Sequence, residues 1–271
     1  EDLDSLLESE KKRFVGTEIY GKTLGIVGLG AIGSLVANMA LDLGMRVVGY
    51  DPAISVEAAW RLSSRVEKMQ SLDSLLKESD YLTIHVPVID ATIGMINTEV
   101  ISRMKTGVKL LNFARKEIVN VDDVINALDS GKMSRYVTDF PTRELIGHPK
   151  VLSMPHIGAS TGEAEDNCAV MAADQLIDFL ENGNIKNSVN FPDTSMARGS
   201  EFRLTFSNSN VPNVLSSVLS HISATGANVI DLVNQSRNEI AYNIMDIDQP
   251  VTDELVSAVS SLDGVIRIRR V

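Results

Sequence analysis

The sequence has one cysteine, one tryptophan and few aromatic residues of any kind, 5% of 271. A lone Cys168 excludes an intrachain disulfide and fits a reducing compartment, so a cytoplasmic location is expected. Cys168 shares a helical-period stripe with Met171, Ala172, Leu176, Phe179 and Leu180, which predicts a buried structural thiol rather than a nucleophile. Positive charge is also scarce: 25 Lys and Arg against 36 Asp and Glu leave a net charge of −11. That balance argues against nucleic acid and against an anionic membrane as partners. An anionic substrate would need a local cluster of cations. The longest apolar stretch, around residues 24–41, is broken by Gly25, Gly28, Gly30 and Gly33 and reads as strand, turn and helix rather than a membrane span. The opening EDLDSLLESEKKRF is charged and lacks the apolar run of a signal peptide. No metal centre is expected.

What is there is concentrated in residues 25–51, GIVGLGAIGSLVANMALDLGMRVVGYD. An apolar strand, Leu24 to Val27, runs into Gly28-x-Gly30-x-x-Gly33. A small-residue helix follows, then a second strand, Arg46 to Tyr50, ending at Asp51. Each part suits a dinucleotide. Gly28 permits a tight turn, Gly30 lets the backbone approach a pyrophosphate, and Gly33 lets the helix pack against the strands. The helix N-terminus offers free N–H groups to phosphate. Asp51 can accept hydrogen bonds from both ribose hydroxyls and would repel a 2′-phosphate, which selects NAD over NADP. A glycine-rich turn alone has a purely structural reading; the order strand, glycines, helix, strand, acid favours the cofactor.

Alternation continues beyond Asp51. Helices are expected at 55–62, 71–78 (capped by Ser71), 97–104 and 121–130, the last closed by Gly131. Strands are expected at Tyr81–Val86, Val108–Phe113, Arg135–Thr138 and Val151–Met154. This order implies an α/β unit with a parallel Rossmann-type sheet covered on both faces. A long helix over 160–182 is expected, with Ser160-x-x-Glu163 as a capping box and Gly183 after its end. FPDTSMARGS, residues 191–200, reads as a linker. The tail, 201–271, reads as βαββαβ, a small ferredoxin-like unit suited to binding or assembly. Its Arg267, Arg269 and Arg270 read as charged protection of a sheet edge.

Three segments fall at carboxyl ends of strands, where open α/β sheets place ligands: Asn112–Arg115, Asp139–Glu144 and Pro155–Gly158. They supply an arginine, carboxylates and an imidazole. Oxidation of a 2-hydroxy acid by hydride transfer needs that set. Neutral His is the base suited to the hydroxyl proton, a carboxylate fixes its tautomer, and a guanidinium fork holds the substrate carboxylate. Singly, each has a structural reading: His156 follows a proline, and Arg115 could cap a strand.

The chain resembles the D-isomer-specific 2-hydroxyacid dehydrogenases through GKTLGIVGLGAIG (21–33), YDP (50–52), IHVP (84–87), NFAR (112–115), TDFPTRE (138–144) and PHIGAST (155–161). The resemblance implies Arg115 as the substrate-orienting arginine, His156 as acid/base and Glu144 as its partner. It implies cofactor contacts from Gly28, Gly30, Ala31, Ile32, Gly33, Asp51, Val86, Pro87, Ala114, Asp139 and His156, with Asp139 at the nicotinamide end. Within the family the likeness is to members that oxidise 3-phosphoglycerate in serine synthesis. The implied substrate is therefore 3-phosphoglycerate or a similar 2-hydroxy acid. The tail resembles an ACT domain, which implies an L-serine effector held by Asn210 and Asn228 at a subunit interface, in a homodimer or homotetramer.

Three departures stand out. Lys116 occupies a usual glycine position after the arginine, and Pro212-Asn213 replaces a Pro-Gly turn, where asparagine tolerates left-handed geometry. The family also carries a long segment before the position of Glu1, the greater part of its substrate domain. Residues 1–20 are thus expected to be a substrate-domain remnant or linker helix, residues 21–158 the NAD-binding domain, and 159–190 a helix returning to the substrate domain. Poor turnover by this chain is the corresponding expectation. Other readings are a glyoxylate or hydroxypyruvate reductase, or an NAD-binding regulatory module without turnover.

Overall fold

From Thr23 onward short apolar strands alternate with capped helices, and the connections set the architecture. The computed structural model describes residues 2–11 and 15–271. Residues 1 and 12–14 of the expected N-terminal remnant lie outside the described residues. The chain divides into two units, Glu1–Ala159 and Ser160–Val271.

Unit 1 holds α1 (Leu3–Glu10), β1 (Thr23–Val27), α2 (Ala31–Asp42), β2 (Arg46–Tyr50), α3 (Val56–Arg61), β3 (Glu67–Lys68), α4 (Leu72–Glu78), β4 (Tyr81–Ile84), α5 (Thr98–Arg103), β5 (Val108–Asn112), α6 (Val121–Asp129), β6 (Met133–Thr138) and β7 (Val151–Ser153). Its strands form one sheet in the order β3-β2-β1-β4-β5-β6-β7, every pair parallel. The chain starts in the middle, winds outward to β3, then crosses back to β4. The switch point lies between β1 and β4, where such sheets open a ligand crevice. Ile26 joins the apolar cluster under α2 and the adjacent Val27 joins the larger cluster on the other face, so both faces are covered. Helix starts are local: Ser55, Ser71, Asn97 and Asn120 each accept a first-turn N–H. Gly131, at φ 78°, ends α6.

Unit 2 holds α7 (Gly162–Asn182), β8 (Phe202–Ser209), α8 (Val214–Ala224), β9 (Val229–Arg237), β10 (Ile240–Ile247), α9 (Asp253–Ser260) and β11 (Val265–Arg270). The antiparallel sheet runs β11-β8-β10-β9, the ferredoxin-like arrangement expected of βαββαβ. Leu204, Phe206, Met245 and Ile247 share one core with Val218 and Ile222 of α8 and Leu255 and Val259 of α9. Asn213 takes the left-handed conformation, φ 73°, and starts α8 in place of the usual glycine.

Four expectations change. The expected linker is anchored: Ile185 and Thr194 exchange backbone hydrogen bonds, and Met196 packs with Tyr242 and Ile244 on the second sheet face. That cover is why β8 is buried on both faces despite its alternating polar residues. Beneath it, Arg203 and Asp246 form an ion pair of 2.6 Å with no exposed side-chain surface. The same guanidinium donates to the carbonyls of Asn182, Met196 and Ala197. Second, α7 is capped by Thr161, whose hydroxyl accepts the Ala164 N–H, not by Ser160. Third, Cys168 is exposed, because the apolar stripe of α7 is not covered within its own unit and Met171, Leu176 and Leu180 are each more than half exposed. Fourth, β11 is an edge strand, but its arginines do more than guard it: Arg269 stacks 4.4 Å over Phe179 and donates to the Leu180 carbonyl, and Arg270 pairs with Asp253 at 2.6 Å.

Removing one member of a buried ion pair strands the other charge. Arg203→Ala is expected to lower the stability of unit 2 by about 3–5 kcal/mol, read by urea unfolding of the full chain. A loss below about 1 kcal/mol would mean the pair behaves as if exposed to solvent.

Candidate cofactor and catalytic site

The parallel sheet brings the turn after β1, the end of β2 and the segments after β4, β5, β6 and β7 to one edge. At that edge the glycine turn is packed to its limit. Gly28 has φ +90°, and a Cβ there would lie 2.5 Å from the His85 carbonyl oxygen. A Cβ at Gly33 would lie 2.0 Å from the Gly28 carbonyl oxygen. This is the close helix packing expected of Gly33, and its partner is the turn itself. Gly30 faces open space, with nothing within 4 Å of the point where a Cβ would stand. Backbone can therefore be approached there by a bulky anion. The first intrahelical bond of α2 runs from Ser34 N–H to the Gly30 carbonyl. The N–H groups of Ala31, Ile32 and Gly33 precede it and carry the positive end of the helix dipole.

Asp51 closes the turn. Its Oδ2 accepts the Leu29 N–H at 2.8 Å and its Oδ1 accepts the Ala53 N–H at 2.9 Å. The half-buried carboxylate thus ties the end of β2 to the glycine turn. Val86 is half-buried and Pro87 exposed, both just beyond β4. Ala114 is buried, its N–H held by the Asn112 side chain.

Two residues given no role of their own from the sequence shape this edge. His85, just after β4, is the wall against which Gly28 packs. Its Nε2 lies 2.9 Å from the Thr83 hydroxyl, and burial pushes its pKa down to about 4. Asn112, fully buried, donates to the Arg115 carbonyl at 2.9 Å while accepting the Ala114 N–H. It sets the course of the chain from β5 into Arg115 and Lys116. Lys116 begins a short 3-10 turn, Lys116–Ile118, where the usual glycine would stand.

The three expected catalytic side chains are all exposed. Arg115 donates to the Ala114 carbonyl at 2.7 Å. The ring of His156 lies 4.8 Å from that of Phe140. A polar contact with the Thr142 side chain, looser than a hydrogen bond, and its own backbone N–H hold the Glu144 carboxyl below its usual range. No hydrogen bond or ion pair joins Arg115, Glu144 and His156 to one another among the described residues. His156 has φ 57°, a left-handed conformation that costs a non-glycine residue energy. Asp139 offsets it. Only 2% exposed, it accepts the Ile157 N–H at 2.8 Å and the Gly158 N–H at 2.7 Å. Both its oxygens are thus spent on the loop that presents His156.

In unit 2, Asn210 follows β8 and donates to the Asn238 carbonyl. Asn228 precedes β9 and is bound through its N–H to Asp248. The two lie at opposite ends of β10, whose residues 240 and 247 pair toward Asn210 and Asn228 respectively. At about 3.4 Å per residue they are roughly 24 Å apart. One chain cannot close both around one small ligand.

Among the described residues no group of three or more His, Cys, Asp or Glu could hold a metal ion, and no helix is long and apolar enough to cross a membrane.

Residues 4–158 match the family description "D-isomer specific 2-hydroxyacid dehydrogenase, NAD binding domain". The chain is 37% identical over 189 residues to a D-3-phosphoglycerate dehydrogenase of Synechocystis, covering 68% of this chain and 34% of that protein. It is 35% identical over 265 residues to the D-3-phosphoglycerate dehydrogenase of Dictyostelium discoideum, covering 93% of this chain and 63% of that one. The chain therefore spans between a third and two thirds of the length of these relatives. Among solved structures it is similar to Rhodotorula graminis D-mandelate dehydrogenase, with a TM-score of 0.59 and 29% identity over 66% of this chain and 54% of that one. It is also similar to a D-2-hydroxyisocaproate dehydrogenase, with a TM-score of 0.60 and 26% identity over 68% of this chain and 61% of that one.

The half-buried His85 makes a pH test. Its folded pKa of about 4 lies below the unfolded value of about 6.5. Between these values the unfolded chain takes up a proton that the folded chain refuses, so the stability His85 contributes is complete above pH 6.5 and is lost as pH falls toward 4. On going from about pH 7.5 to 5.5, the protein should lose about 1 kcal/mol more than its His85→Gln variant. Parallel losses in urea titrations of the two would place His85 in solvent.

Proposed function

This chain belongs to the D-isomer-specific 2-hydroxyacid dehydrogenase family, and on that premise we propose that it binds NAD at the turn between β1 and α2. We further propose that it serves the oxidation of D-3-phosphoglycerate to 3-phosphohydroxypyruvate, the first step of L-serine biosynthesis. The observation that carries the reading is the glycine turn wedged against His85 with Asp51 fastened to it. The Asp51 carboxylate accepts one N–H on each oxygen and keeps lone pairs for the two ribose hydroxyls, and its charge repels a 2′-phosphate. The choice of substrate is supported by the Dictyostelium enzyme, whose likeness covers 93% of the chain.

NAD supplies the hydride acceptor. Arg115 holds the substrate carboxylate through paired N–H donors and so aims C2. The His156 imidazole takes the hydroxyl proton as the C2 hydride leaves, and Glu144 stabilises the imidazolium. Asp139 keeps the His156 loop in place through the Ile157 and Gly158 N–H groups. Another D-2-hydroxy acid is the competing substrate class, and NAD binding without turnover is the competing role.

By calorimetry, NAD should bind at least about tenfold more tightly than NADP, a gap of about 1.4 kcal/mol. Asp51→Ala should narrow that gap, and equal affinities in the unaltered chain would remove Asp51 from the ribose. Turnover is tested by NADH formation with D-3-phosphoglycerate, then with D-glycerate and D-lactate as competitors. His156→Ala should cut any such rate by about 10²- to 10⁴-fold while NAD binding persists. Near-normal turnover in that variant would assign the proton to another group. NAD binding with no turnover of any 2-hydroxy acid would leave the non-catalytic role.

Unit 2 is proposed to act as an ACT-type module in a homodimer or homotetramer, with L-serine as effector. Because Asn210 and Asn228 lie at opposite ends of β10, the serine site needs two copies, each giving one asparagine. Serine binding by calorimetry should track dimer formation by sedimentation, and Asn228→Ala should abolish it with the dimer intact. Serine heat from a monomer would refute the shared site.

A further inference from the structure

The sheet face of unit 2 that lies away from α8 and α9 carries a cavity of about 740 Å³. That volume is within the usual range for small-molecule sites. It lies between the C-terminal end of α7, the strap of residues 183–201 that joins α7 to β8, and strands β8, β10 and β11. None of the residues assigned above to NAD, substrate or serine lines it.

Its walls have two characters. Leu176 and Phe179 of α7, Phe191 of the strap, Tyr242 of β10 and Ile266 of β11 make an apolar body. Leu176 and Ile266 are more than half exposed there, although large apolar side chains are usually covered. The other character is cationic, in a chain whose net charge is −11. Lys186 is committed to Asp178 at 2.8 Å, and Arg269 to the α7 carbonyls and the Phe179 ring. Arg267 is different. It also lines the cavity, and its guanidinium has no hydrogen-bond or ion-pair partner among the described residues. Arg267 is paired in register with Ser207 on β8, so the two side chains share the cavity face. The Ser207 hydroxyl likewise has no partner among the described residues, although the residue is buried.

An unpaired guanidinium beside an unpaired hydroxyl, at the rim of an apolar cavity, fits an anionic head on an apolar body. We propose that this cavity binds an aliphatic monocarboxylate. Arg267 and Ser207 hold the carboxylate, and Leu176, Phe179 and Ile266 hold the chain. Arg267 can offer two parallel N–H donors to the two carboxylate oxygens, and the Ser207 O–H a third. All of the site's residues belong to unit 2, whereas those of the proposed cofactor edge belong to unit 1.

The probes are octanoate and its neutral analogue octanol, titrated calorimetrically into the full chain, with folding of each variant checked by circular dichroism. Octanoate should bind at one site per chain and more tightly than octanol. Arg267→Ala should weaken octanoate by at least about tenfold and change octanol by less than about twofold. Ile266→Trp, at an exposed position, fills the groove and should remove both. The proposal is overturned if octanoate does not bind at millimolar concentration, if octanoate and octanol bind alike, or if Arg267→Ala binds octanoate as the unaltered chain does. It is also overturned if the chain is dimeric and Ile266→Trp makes it monomeric without any octanoate binding, since the groove is then an interface between copies. In that case Arg267 is only the guard of a sheet edge.

Discussion

Seven strands running in one direction are the constraint on which unit 1 depends. Parallel strands need crossover helices, and those helices cover both faces. What remains open is the edge where the strands end. Every feature of the candidate site follows from that: Gly28, Asp51, His85, Asn112, Asp139 and His156 are far apart in sequence but each lies at or just beyond the end of a strand. The switch between β1 and β4 places the glycine turn against His85, the residue that leaves β4. The turn cannot be loosened from its neighbour without separating two central strands. A ligand at this edge therefore meets a backbone surface already fixed by sheet pairing, which lowers the ordering cost of binding it.

Unit 2 solves a different problem. A small antiparallel sheet with two helices on one face leaves the other face bare. Here the strap after α7 covers part of that face, and the buried Arg203–Asp246 pair fastens the strap through the Met196 and Ala197 carbonyls and the end of α7 through that of Asn182. The pair is costly to bury, so its use lies in register: only one path of the strap satisfies all the guanidinium donors. Coverage is incomplete toward β11, and there the cavity beside Arg267 opens.

The sequence is most legible where one local rule governs. Apolar runs mark β1, β2, β4 and β5 to within a residue or two, because a strand buried on both faces has no alternative composition. Ser71 is readable as a cap, and Gly131 as a helix end, from single-residue chemistry. Asn213 in the left-handed region is legible for the same reason. Thr161 rather than Ser160 caps α7, since two adjacent hydroxyl residues offer the same signal and only backbone direction chooses between them. Cys168 is misjudged from the sequence because an apolar stripe says which face seeks cover, not whether cover is present. Contacts across long separations are not legible at all. Arg203 meets Asp246 across 43 residues, and Asp139 meets the loop of His156 across 18 to 19. Nothing near either residue announces its partner. The same holds for His85, whose importance lies in the glycines it touches rather than in its own neighbours. For the candidate catalytic residues the sequence places all three at strand ends, while their exposed side chains are engaged locally, with Ala114, Phe140 and Thr142.

The central claim is that this fixed edge is a dinucleotide site, and amide chemical shifts of the full chain titrated with NAD test it most directly. The account predicts the largest shifts at Leu29, Gly30, Ala31, Ile32 and Gly33, with smaller ones at Asp51 and Ala53 as the ribose meets the carboxylate. Shifts confined to unit 2, or none at the glycine turn under saturating NAD, would contradict it.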